Sequence, residues 1–290
     1  MSLLEVSGLQ VAYGGLVAVR DVSFAVEPGQ VLAMLGANGA GKTTTLRAVS
    51  GLVKPRAGTV TVDGSDVTGW SAERIARLGI AHVPAGRGVF GSLTVEENLV
   101  MARYGAGLAV DGTALDEAYT TFPVLAEKRS TTAGTLSGGQ QQQLAIARAL
   151  LQQPRVLLVD EMSMGLAPKV VQDLFGIVAG LKDRGIAIVM VEQFVTQALA
   201  VADTVVVLEQ GEVAHAGTPA ELGADTIAAS YLGGHLPEVD SVPPAFATER
   251  VAVSLQGAQV RALERLAAAR GVTVDEVVAA LAGAGLEGAS

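Results

Sequence analysis

Cysteine is absent from this 290-residue chain, and aromatic residues make up only 4% of it. The lack of cysteine excludes disulfides and thiolate metal sites, and nothing indicates an oxidising compartment. Long apolar runs are also missing. The longest ones, such as residues 186–191 and 205–208, have the length of a buried strand, whereas a membrane helix needs about 20 apolar residues.

Basic residues are outnumbered, with 20 Lys and Arg against 29 Asp and Glu. The net charge of −9 argues against a nucleic-acid protein and against electrostatic docking onto anionic lipid. The start of the chain carries Glu5 and no cationic lead, so no targeting signal is expected. We therefore expect a cytoplasmic chain that reaches the membrane only through a partner.

Short apolar runs alternate with helical segments over residues 1–233, which predicts an α/β fold with a parallel sheet. The alternating residues 22–26 indicate a small antiparallel β layer at the N-terminus, and residues 88–150 are helical in character. Buried strands are predicted at residues 31–35, 156–159 and 186–191, and helices at residues 42–50 and 168–182. The predicted architecture is a parallel-sheet nucleotide core with a helical subdomain.

A glycine-rich turn follows the first buried strand and reads GANGAGKT from Gly36 to Thr43. It matches the phosphate-loop pattern in its required context, between a strand and a helix. Glycines let backbone N–H groups point towards phosphate, and the helix N-terminus adds positive potential. A chance lysine after a glycine turn is the alternative, which the flanking strand and helix disfavour. The predicted nucleotide-binding residues are Asn38, Gly39, Ala40, Gly41, Lys42, Thr43 and Thr44.

Two acids, Asp160 and Glu161, end the apolar run that starts at Val156. By itself this arrangement is weak, because strands often end in acidic turns. About 120 residues after a phosphate loop it indicates the Walker B motif. Asp160 and Thr43 are then predicted to hold Mg²⁺, with Lys42 on the phosphates and Glu161 as the general base that polarises the attacking water.

Leu136 to Gln140 reads LSGGQ at the start of a predicted long helix. This run resembles the signature of ABC ATPases, a likeness that covers roughly residues 1–233. In that family the signature binds the γ-phosphate of the ATP held by the opposite subunit. The residues carried over are Ser137, Gly138, Gly139 and Gln140. A hydroxyl and glycine N–H groups at a helix start suit an anion, although a simple helix cap is the alternative.

The family resemblance also assigns Tyr13 to adenine stacking and Gln193 to the switch loop, with a catalytic role. Three positions depart from the general pattern: Ala85 replaces a Gln, Ala167 an Asp, and Gln193 a His. The last two departures, and phrases such as Leu93 to Leu99 (LTVEENL), are similar to the LivF-like branch, the ATPases of branched-chain amino-acid importers. Ala85 departs even from that branch and cannot ligate Mg²⁺ or position water.

The resemblance implies an ATP- and Mg²⁺-dependent ATPase that powers an importer for branched-chain or other hydrophobic amino acids. Its implied partners are membrane permease subunits, a sister or identical ATPase and, indirectly, a solute-binding protein. It would lie on the inner face of the membrane. Urea, amide or other small-solute uptake and a binding-only nucleotide switch remain open alternatives. His82, His215 and His235 lack ligand spacing and are expected to be structural or exposed.

The composition changes after residue 235. Residues 236–249 read as a linker and residues 250–290 as a small module with one strand and two helices. Its spacing resembles a ribbon-helix-helix module, a fold that pairs its strand with a second copy. Three roles stay open: dimerisation, packing on the ATPase domain, and DNA binding. The side chains expected on the exposed face of the strand are poorly suited to DNA recognition, so they support the third role only weakly.

Overall fold

The computed structural model describes residues 2–86, 88–110, 112–192 and 194–222. The predicted linker, the C-terminal module and Gln193 lie outside these residues. The strands are β1 (Leu4–Tyr13), β2 (Leu16–Val26), β3 (Val31–Leu35), β4 (Ala57–Val62), β5 (Ser65–Asp66), β6 (Ile80–Val83), β7 (Val156–Asp160), β8 (Ala187–Val191), β9 (Thr204–Glu209) and β10 (Glu212–Gly217). The helices are α1 (Lys42–Val49), α2 (Ala72–Arg77), α3 (Val95–Gly105), α4 (Gly112–Thr121), α5 (Pro123–Ala126), α6 (Gly138–Leu150), α7 (Pro168–Lys182) and α8 (Val195–Val201), with a 3₁₀ turn at Ala133–Thr135.

The strands form one sheet in the order β5-β4-β1-β2-β10-β9-β3-β8-β7-β6. Neighbours from β9 to β6 pair in parallel, so their carboxyl ends meet at one edge. Every residue of β3, β7 and β8 is buried, as expected for strands covered on both faces. Ligands of open parallel sheets bind at such an edge, which is where the predicted phosphate loop follows β3 and the two predicted acids lie at the end of β7.

The other end of the sheet is antiparallel. β1 pairs with both β2 and β4, and the buried residues of β1 and β2 alternate with exposed ones. This half-buried pattern is the reason why the alternation at residues 22–26 was visible in the sequence. The predicted α/β class, with a parallel core and an antiparallel layer, is confirmed.

Helices α3 to α6 form the helical region that the sequence predicted. Thr94 is the N-cap of α3 and Ser137 that of α6, each in a capping box that includes hydrogen bonds between side chain and backbone in both directions. The buried residues of α6 include Leu144, Ile146 and Ala147. Among the described helices, none is long and apolar enough to cross a membrane.

Candidate nucleotide site

The phosphate loop leaves β3 at Gly36 and enters α1 at Lys42. Its backbone requires glycine at two points of close approach: a Cβ at Gly36 would lie 2.2 Å from the Leu208 carbonyl oxygen, and one at Gly41 would lie 2.8 Å from that of Ala18. Both glycines have positive φ, 140° and 103°. The conformation is thus fixed by neighbouring strands rather than by the loop alone.

Lys42 is 5% exposed and lies inside the loop. Its ammonium donates to the carbonyl oxygens of Gly36 at 2.7 Å and Ala37 at 2.8 Å. Burial lowers the pKa of Lys42, and the negative charges of Glu161 and Asp160 oppose that shift. The cation is therefore held in place by the loop's own carbonyl groups, beside two carboxylates.

Thr43 and Asp160 meet although 117 residues separate them in the sequence. The Thr43 hydroxyl donates to Asp160 Oδ1 at 3.0 Å, which joins the first turn of α1 to the end of β7. Burial raises the pKa of Asp160, and the hydrogen bond from Thr43 works against that rise. The two side chains that the sequence predicts to hold Mg²⁺ are thus in direct contact, although they lie on different elements.

Glu161 follows Asp160 and turns away from the strand direction. Its φ is +49°, a left-handed conformation that is uncommon for a residue other than glycine. Its N–H donates to the Val191 carbonyl at 2.9 Å, so the residue is anchored to the end of β8. Strained backbone of this kind concentrates at functional sites.

The remaining predicted residues lie on separate elements. Tyr13 ends β1 and is 43% exposed, as an aromatic platform for a ligand would be. Asn38 and Gly39 are exposed at the loop tip, Ala40 is buried, and Thr44 is half-buried on α1. Ser137 caps α6 and is exposed, while Gly138, Gly139 and Gln140 form its first turn. Ala85 lies exposed in the turn after β6.

Two contacts between distant segments were not found from the sequence. The Ser163 hydroxyl donates to Glu192 Oε2, and both residues are fully buried. His82 Nδ1 lies 3.1 Å from the Ser50 hydroxyl, and burial, aided by the charge of Arg47, lowers the pKa of His82 to about 4. His82 is therefore a neutral structural residue. No local motif marks either pair, because each joins distant segments.

Within the described residues there is no group of three or more His, Asp or Glu side chains that could enclose a metal by itself. A phosphate loop with its lysine at a helix N-terminus, and paired acids at the end of a second strand, define a P-loop nucleotide-binding ATPase. The chain belongs to the ABC transporter family, whose model matches residues 19–164. The family binds and hydrolyses ATP.

Relatives match most of the chain. It is 40% identical over 233 residues to the high-affinity branched-chain amino acid transport ATP-binding protein BraG of Pseudomonas aeruginosa, covering 80% of this chain and 100% of that protein. It is 36% identical to a probable branched-chain amino acid transport ATP-binding protein, LivF, of Archaeoglobus fulgidus, covering 76% and 94%. The crystal structure of the ADP conformation of an ATP-binding cassette aligns with a TM-score of 0.68 and 26% identity, covering 79% of this chain and 94% of that one.

Proposed function

We propose that this chain is the ATP-hydrolysing subunit of an importer for branched-chain or other hydrophobic amino acids. The observation that carries the proposal is the 40% identity to a branched-chain amino acid transport protein over that relative's whole length. The contact between Thr43 and Asp160 supports the ATPase part independently, because it joins the phosphate loop to the acidic strand end.

Lys42 would exchange its bonds to the Gly36 and Ala37 carbonyls for bonds to the β- and γ-phosphates. Because burial has already stripped water from the ammonium, its attraction to phosphate is little screened. Tyr13 would stack on adenine. Glu161 would accept the proton of the attacking water. Gln193 can hydrogen-bond the γ-phosphate but cannot carry a proton, so the base role falls on Glu161.

Thr43 and Asp160 fit Mg²⁺. This ion takes oxygen ligands, is held by one or two carboxylates, and keeps several waters besides substrate phosphate oxygens. One hydroxyl and one carboxylate, already 3.0 Å apart, meet that description. When bound, the ion would neutralise charge on the phosphates. Ala85 contributes no ligand, so the charge stabilisation depends on Lys42 and on the ion that Thr43 and Asp160 would hold.

The partners follow from the same proposal. Two ATPase subunits, identical or sisters, would enclose two ATP molecules, with Lys42 from one chain and Ser137 from the other at each. Ser137 is suited to this because it is exposed at the N-terminus of a 13-residue helix. Membrane permease subunits would contact the segment near residues 84–100, and a solute-binding protein would deliver the amino acid to them.

Two alternatives concern cargo and turnover. Urea, amide or other small-solute importers use similar ATPases, and cargo is chosen by the binding protein and the permease. A binding-only switch would result if Ala85 and Gln193 had abolished hydrolysis. The second alternative is decided by this chain alone, and the first by reconstitution with the permeases and a test of leucine against urea.

The test is steady-state ATP hydrolysis by the full chain beside Lys42→Ala and Glu161→Gln. We expect Glu161→Gln to lower kcat at least about 100-fold, because it removes the general base. Lys42→Ala should lower both kcat and ATP affinity. Hydrolysis that persists unchanged in Glu161→Gln would reject the assigned base. Nucleotide binding without hydrolysis, even with sister ATPase and permeases added, would establish the switch.

The C-terminal module is proposed to dimerise. It lies outside the described residues, so the proposal rests on its sequence pattern. In the absence of ATP, a chain that ends at Gly234 should lose self-association measured by light scattering at equal concentration. An unchanged oligomeric state together with an unchanged ATPase rate would reject this role.

A further inference from the structure

Two segments that are distant in sequence are fastened to each other beside α6. We call residues 91–95 and 131–135 the clasp. Gly134 N donates to the Gly91 carbonyl at 2.9 Å, Ala133 N to the Leu93 carbonyl at 2.8 Å, and Val95 N to the Thr131 carbonyl at 3.0 Å. An antiparallel bridge between Thr94 and Thr132 completes it. The clasp is thus a short stretch of β pairing inside a helical region.

The clasp requires glycine where its two segments come closest. A Cβ at Gly134 would lie 2.9 Å from the Gly91 carbonyl oxygen and 3.6 Å from the Gly91 Cα. The 2.9 Å contact forces a shift of backbone, because the carbonyl oxygen does not belong to a flexible side chain. The φ of Gly134 is not in the left-handed range, so the backbone itself would accept alanine. Gly134 is therefore demanded by the contact and not by its conformation.

The clasp is joined to the start of α6, where Ser137 lies three residues after Gly134. The side-chain amide of Gln141 donates to the Ala133 carbonyl at 3.0 Å, and Gln141 N donates to the Ser137 carbonyl at 2.9 Å. A displacement of residues 133–134 must therefore move the first turn of α6 with it. This turn and its cap Ser137 contain the signature residues Ser137 to Gln140.

The other side of the clasp is held by α3 and by the far end of α6. Asn98, fully buried, accepts from Phe90 N at 2.8 Å and donates to the Phe90 carbonyl at 3.0 Å. Arg148 donates to the Gly88 carbonyl, and its guanidinium lies 4.3 Å from the centre of the Phe90 ring. These contacts fix the segment from Gly88 to Val95 at several points besides those of the clasp itself.

We propose that the clasp positions Ser137 for the neighbouring subunit's ATP, and that Gly134 is the positioning residue that sets its spacing. The proposal rests on the function proposed above, in which residues 84–100 face the permease. A push on Gly88 to Val95 would then pass through the clasp to Ser137 without passing through the phosphate loop. The signature of one subunit would then move while the phosphate loop of the other subunit kept its contacts with the nucleotide.

The experiment compares Gly134→Ala with Gly105→Ala in the full chain. Gly105 ends α3 in the same helical region, and a Cβ there would meet nothing within 4 Å. Three quantities are measured: ADP affinity by calorimetry, amide hydrogen exchange over residues 88–95 and 131–141, and kcat and KM for ATP hydrolysis. ADP affinity reports the phosphate loop, and exchange reports the clasp and the first turn of α6.

For Gly134→Ala we expect ADP affinity within two-fold of the unchanged chain. Amides in both clasp segments and in residues 138–141 should exchange at least about ten-fold faster, and kcat should fall at least about ten-fold while KM changes less than three-fold. Gly105→Ala should change none of these. If Gly134→Ala does not fold, Gln141→Ala, which removes the amide that donates to the Ala133 and Gly134 carbonyls, should give the exchange change in residues 138–141 with ADP binding retained.

Faster exchange confined to residues 131–135, with residues 138–141 unchanged, would overturn the proposal. So would a loss of ADP affinity in Gln141→Ala, which would show a general structural role. The exchange result is independent of catalysis. If the unchanged chain bound ADP but hydrolysed no ATP, the proposed function would fail while exchange still decided the clasp.

Discussion

The parallel core and the helical region position their functional residues by different means. In the core, Lys42, Thr43 and Asp160 are placed by the ends of completely buried strands that are locked in register. In the helical region, Ser137 is placed by caps and loop contacts that depend on single residues such as Asn98 and Gly134. In the core, the buried strands position the site, so the side chains at their ends are available for chemistry. In the helical region, individual residues have to position Ser137.

Gly36→Ala is expected to give the largest loss of stability, because it forces a Cβ to 2.2 Å from a strand carbonyl in the core. We expect the free energy of unfolding to fall by more than about 4 kcal/mol. Gly39→Ala is the matched control: its φ is also positive, but a Cβ there meets nothing within 4 Å. It should cost about 1–2 kcal/mol. Urea denaturation measures both, and equal losses would show that strain, not contact, governs the loop.

Asn98→Ala tests the opposite region. It removes a fully buried amide and leaves the Phe90 N–H and carbonyl without their partner, so we expect a loss of about 2–4 kcal/mol. ADP affinity should stay within three-fold, since the core is intact. Gln152→Ala, which cuts one hydrogen bond of 3.3 Å in the same region, should cost less than about 1 kcal/mol. A fall in ADP affinity that parallels the loss of stability in Asn98→Ala would show that the two regions do not position their residues independently.

His82 gives the core a dependence on pH. Its pKa is about 4 in the fold against 6.5 when exposed, so between these values the unfolded chain binds more protons. Stability should therefore fall by about 2–3 kcal/mol as pH drops from about 6.5 to about 4. His82→Gln keeps a partner for Ser50 and cannot titrate, so the slope of unfolding free energy against pH should flatten over this window. Parallel slopes for both chains would contradict the assignment.

The two capping boxes give the smallest expected effects. Thr94→Val and Ser137→Ala each remove one side-chain cap, and each should cost about 1 kcal/mol in stability. Only Ser137→Ala should also remove a contact to ATP and lower kcat beyond the effect of lost stability. Thermal melting and ATPase assays on both variants separate a cap from a binding residue. Equal kcat in the two would reject the signature role of Ser137.

The sequence predicted the core well because its signals are local. The helix predicted from Lys42 to residue 50 ends at Val49, and the strand predicted at residues 156–159 extends by one residue, to Asp160. A buried strand, a glycine loop and a helix each have a recognisable pattern in consecutive residues. The position of the candidate site at the sheet edge could therefore be predicted from motif and topology together.

The contacts of the helical region could not be predicted in the same way. Gly134 and Gly91 lie in short glycine-containing stretches without periodicity, and neither stretch has a pattern that predicts pairing with the other. The pair of Ser163 and Glu192 has the same character, as does the burial of His82. Pairings between distant loops depend on the whole fold, and single-sequence patterns carry no record of them.

Because the backbone of Glu161 is left-handed, stability and activity favour different residues at position 161. Asparagine or glycine tolerates a φ of +49° better than glutamate does. A library of this chain screened only for heat resistance should therefore accumulate those residues at position 161 and lose turnover as it gains melting temperature. Directed evolution of a hardier transporter subunit would have to hold this one position fixed.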